Sequence, residues 1–114
     1  TRDIAEMDRC LAGGDRAGRH DEFEHWDAAL HAALFSATRN PLLIHMYDAV
    51  QTARRSVLWG ASKVRHDSVE HRAMYQQQHR AVVEAVRDRN TADAVTAMKD
   101  HLAYVAATIL TSIP

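Results

Sequence analysis

The sequence predicts an all-α fold, an antiparallel helical bundle in a single domain. Three observations carry this. Alanine, arginine and leucine are plentiful, and all three are good helix formers. Only 2 prolines and 4 glycines occur in 114 residues, too few for the turns of an all-β chain. Apolar residues also recur at three- and four-residue spacing along most of the chain. Hydrophobic residues make up 46% and charged residues 25%, a globular balance rather than a disordered one. The length suits one domain, residues 1–114, and leaves no room for two.

The elements follow in order. The first helix is expected from Thr1 to about Ala12, with Thr1 as N-cap and Ile4, Met7 and Leu11 on one stripe. Gly13-Gly14 should end it, since glycine commonly follows a last helical turn. A second helix should begin between Asp15 and Arg19 and reach about Thr38, burying Phe23, Trp26, Leu30, Ala33, Leu34 and Ala37. Asn40-Pro41 reads as an N-cap followed by proline at the first helical position. The third helix then runs to about Arg65, with Leu43, Met46, Tyr47, Val50, Val57 and Ala61 inward and Gly60 a weak point. Asp67 and Glu70 resemble a capping box opening a fourth helix, whose apolar positions are Val69, Met74, Val82, Val83 and Val86. Asn90-Thr91 offers the next cap. The fifth helix carries Ala94, Val95, Met98, Leu102, Val105 and Ile109. Short connections between successive helices imply antiparallel neighbours.

Charge and cysteine usage narrow the function classes. The net charge is −1 with histidine neutral and no like-charge block occurs, so nothing here neutralises a nucleic-acid backbone. Cys10 is the only cysteine; it has no partner for an internal disulfide, which fits a cytoplasmic protein. No apolar run is long enough to span a bilayer and no signal peptide is visible. The first residue, Thr1, is not methionine, and the chain is expected to be a piece of something longer.

Histidine is abundant, 8 in all, and its placement is more informative than its number. Asp27 and His31 are four apart and share the stripe of Phe23, Leu30 and Leu34. His79 lies three before Val82 and seven before Val86; His101 lies three after Met98 and four before Val105. Polar groups on an inward stripe are costly unless something satisfies them. Helical bundles build metal sites from such side chains on facing helices. Three imidazoles and one carboxylate suit zinc first, with nickel, manganese or iron as alternatives, and leave a coordination position open. Hydrogen-bonded core histidines are the competing reading, and Asp21 and His25 repeat the Asp-to-His spacing. His20, His25, His45, His66 and His71 are expected on solvated faces or helix ends.

Residues 27–43, DAALHAALFSATRNPLL, and residues 78–102, QHRAVVEAVRDRNTADAVTAMKDHL, together resemble the FCD domain, the C-terminal domain of the FadR subfamily of GntR transcription regulators. In the first block an aspartate is followed four residues later by histidine, and nine after that by Asn40. In the second, His79, Ala85, Ala94 and His101-Leu102 fall in the family's register. The resemblance selects Asp27 over Asp21, because His25 has no asparagine at the matching distance. It departs at Leu30, where phenylalanine is usual, at Gln78, where glutamate precedes the histidine, and at Asn90, in place of a turn aspartate.

The resemblance implies an effector-sensing and dimerising domain rather than an enzyme. Its expected metal ligands are Asp27, His31, His79 and His101, with a divalent metal, zinc foremost, holding the carboxylate of a small organic acid. Arg54, on the stripe of Leu43, Tyr47, Val50 and Val57, is the first candidate to assist, with a buried salt bridge as the alternative reading. The resemblance also implies a homodimer, and DNA contact only through an N-terminal winged helix-turn-helix absent from this chain, along with the family's first helix. Two other readings stand beside it. One is a helical-bundle metalloenzyme acting on a small organic acid, with Glu84 as a conceivable base; the other is a metal-free dimerisation domain.

Overall fold

The computed structural model describes residues 1–55 and 67–110. Among these the chain is all-α, with five helices and no strand. They are α1 (Arg2–Arg16), α2 (His20–Ala37), α3 (Pro41–Arg54), α4 (Val69–Arg87) and α5 (Thr91–Leu110). No described helix is long and apolar enough to cross a membrane. Two compact units divide the chain, Thr1–Ala61 and Ser62–Pro114.

In the first unit, Thr1 caps α1 as expected, its Oγ1 accepting from the Ile4 amide at 3.3 Å. Met7, Cys10 and Leu11 are buried. Gly13 and Gly14 do not end the helix; it continues to Arg16, and Ala17 caps it. The glycines serve packing instead. A Cβ on Gly13 would lie 2.2 Å from Cδ2 of Trp26, so only glycine lets α1 close against that indole. The Arg9 guanidinium covers the same ring, 5.3 Å from its centroid. α2 starts at His20, slightly later than expected, and buries Phe23, Asp27, Leu30 and His31. It stops where Arg39 enters the left-handed region (φ 57), and Arg39 reaches back to Asp3 at 3.0 Å.

Asn40 caps α3 as read from the sequence, its side chain accepting from the Leu42 amide at 3.0 Å with Pro41 at the first position. Tyr47 is the buried residue of α3, while Met46 and Val50 are exposed rather than inward. The line that turns inward runs through positions 43, 47, 51 and 54; Met46 and Val50 stand one residue to its side. The expected extension to Arg65, with Val57, Gly60 and Ala61, lies outside the described residues.

In the second unit, the cap of α4 is Ser68, whose Oγ accepts from the His71 amide at 3.0 Å. The Asp67–Glu70 capping box is thus corrected by one residue, and Asp67 instead faces Arg72. Tyr75, Gln76, His79, Val82, Val83 and Ala85 are buried, whereas Val69 and Met74 are exposed. After Arg89 (φ 55), Asn90 caps α5 by accepting from the Asp93 amide at 3.0 Å. α5 buries His101, Thr108 and Ile109, and leaves Val95 and Leu102 exposed.

Candidate functional site

The first unit sets Asp27 and His31 one turn apart on the buried face of α2, as their spacing requires. Their side chains are nearly sealed, and His31 Nε2 lies 3.6 Å from Asp27 Oδ1. The other oxygen, Oδ2, is held by Arg54 Nη2, which also reaches Glu24 Oε2 at 3.3 Å. Arg54 Nη1 donates to Gln51 Oε1 at 3.1 Å. Burial opposes the charge on Arg54, but the Asp27 and Glu24 carboxylates outweigh it and its pKa is raised further. Tyr47 backs this cluster. Its hydroxyl donates to the Ala28 carbonyl at 3.1 Å, and its ring stacks on Phe35 and His31. Burial pushes the Tyr47 phenol from 10.0 up to about 12, so it stays a neutral donor at any physiological pH.

The second unit sets His79 of α4 and His101 of α5 face to face, with Nε2 atoms 3.2 Å apart. Each Nδ1 meets an amide oxygen: Gln76 Oε1 at 3.0 Å for His79 and Gln78 Oε1 at 2.7 Å for His101. An amide oxygen accepts, so this pairing suits the tautomer with the proton on Nδ1, which leaves Nε2 as the atom each ring offers. Two imidazole nitrogens that converge in this way are a donor set that fits a metal ion. Tyr75 lies edge-on to His101 and to Tyr104. Tyr104 Oη sits 2.8 Å from His71 Nδ1. His71 is therefore half-buried and bonded, in the first turn of α4, one of the helix ends expected for these histidines. His25 and His45 are exposed, His20 is half-buried, and His66 lies outside the described residues.

All four expected ligands are buried, Asp27 and His31 in the first unit and His79 and His101 in the second. The match of residues 1–104 to the FCD domain family model decides the kinship. The chain belongs to the FCD domain family. No curated protein and no solved structure matches it. FCD domains are effector-binding regulatory domains of GntR-type transcription regulators, which take small-molecule effectors and are not enzymes. In this FCD domain the residues that sequence reasoning missed are Gln76, Glu24 and Tyr47's hydroxyl. Gln76 had a usable signal, standing three residues before His79 on the same helical face. Glu24 and the Tyr47 hydroxyl had none, because their partners are remote in sequence.

Proposed function

We propose that this FCD domain senses a small carboxylic acid at a metal centre made of Asp27, His31, His79 and His101, and so modulates DNA binding by a regulator. The observation that carries this reading is the His79–His101 pair, whose Nε2 atoms converge while glutamine oxygens occupy both Nδ1 atoms. The first unit offers a second pair of the same kind, Asp27 Oδ1 and His31 Nε2. Two such pairs supply four donors, three nitrogens and one oxygen, which suits zinc, with nickel, manganese or iron as alternatives. A bound metal would supply an electrophilic position for the acid's carboxylate. Arg54 orients Asp27 by holding Oδ2, which leaves Oδ1 for coordination, and its remaining donors assist the effector.

In this reading the acid favours one arrangement of the helices over another, and a homodimer transmits that preference to DNA-binding domains. Cobalt(II) substitution tests the acid's position. The cobalt-loaded protein is expected to show visible absorption bands that shift when a hydroxy acid or sugar acid binds. An acid that binds by calorimetry yet leaves those bands unchanged would place the effector away from the metal and sink the reading.

A further inference from the structure

Arg72 is a polar side chain that the proposed metal centre does not use. Its side chain is 17% exposed, and Nε and Nη1 are both buried without a hydrogen-bond partner. Asp67 Oδ1 lies 3.4 Å from Nε, close enough for attraction but out of hydrogen-bond alignment. A buried guanidinium with unspent donors is rare in folded proteins and calls for an explanation. Planar N–H donors of this kind match carboxylate and phosphate oxygens.

The position of Arg72 says which anion. Residues 72, 75, 76, 79, 82 and 83 of α4 repeat at helical spacing, and every one from Tyr75 onward is buried. Arg72 thus stands at the N-terminal end of the stripe that carries His79, seven residues or about 10 Å along the axis. Between the two, Tyr75 is buried in the same stripe and sets its ring edge-on to His101. We infer that Arg72 binds a second anionic group of the effector, so that the acid sensed is a dianion, with one carboxylate at the His79–His101 end and the other at Arg72. This rests on the proposed metal-centred reading and adds the effector's chemical class.

Calorimetry on the zinc-loaded protein tests it, with succinate, glutarate and adipate each set against the monocarboxylate of the same chain length. At least one dicarboxylate is expected to bind about tenfold or more tightly than its partner. Arg72→Gln should abolish that preference while leaving zinc content and monocarboxylate affinity unchanged. Arg72→Lys, which keeps the charge but loses the planar fork, should retain part of it; circular dichroism confirms that each variant folds. Equal affinity for both acids in the parent would mean that solvent alone satisfies Arg72, and would overturn the assignment. A preference that survives Arg72→Gln would overturn it too, as would the binding of neither acid to a protein that holds zinc. A parent that holds no zinc would overturn the metal-centred reading, and the assignment with it.

Discussion

At the scale of single residues, the second unit's histidines are set by their neighbours as much as by their own positions. An acceptor on Nδ1 fixes the ring's tautomer and orientation, and so decides that Nε2 is the atom offered. Gln78 does this for His101 through a neutral amide, where the family usually carries a carboxylate. A carboxylate there would make the imidazole a stronger donor. Gln78→Glu is therefore expected to tighten zinc binding, and Gln78→Leu to weaken it by about 10- to 100-fold, the usual scale for such partners. Competition with a chromophoric chelator measures both. Equal affinities across the three proteins would mean that Gln78 does not orient His101. Asp27, His31, His79 and His101 could be picked from sequence because each breaks an apolar stripe. Arg72 could not, since a charged residue in a helix's first turns ordinarily reads as solvated.

At the scale of elements, Pro41 and three of the four expected caps were legible, Asp67 stood one residue from the true cap Ser68, and the Gly13-Gly14 pair was misread. Thr1, Asn40 and Asn90 cap the helices they announce, because a side-chain oxygen beside a first turn has a local partner. Gly13-Gly14 was misleading because its role is tertiary: the missing Cβ makes room for Trp26, a residue of another helix. The same reason explains Met46, Val50, Val95 and Leu102. Periodicity finds an apolar stripe but does not say which edge of it a neighbouring helix covers. Gly13→Ala separates these accounts. Alanine adds helix propensity of about 1 kcal/mol, but its Cβ would collide with the indole, and overpacking costs about 1–3 kcal/mol. Net destabilisation is expected in urea unfolding. Gly18→Ala, with open space around the site, should be neutral or stabilise by about 0.4–1 kcal/mol. Stabilisation by both would show that the Gly13 contact relaxes freely.

At the scale of the whole molecule, the fold class and the family were legible from composition and from two spaced blocks, and residues 1–104 match the FCD model. The central claim is that four buried donors exist to hold a metal. A purely structural role for these histidines would need no ion, whereas two imidazoles whose Nε2 atoms converge offer a donor set for one. The most direct measurement is elemental mass spectrometry on protein purified without a nickel column, beside a His79→Ala, His101→Ala double variant. About one metal per chain is expected in the parent and almost none in the variant. A parent that carries no metal, even after dialysis against zinc, would contradict the account.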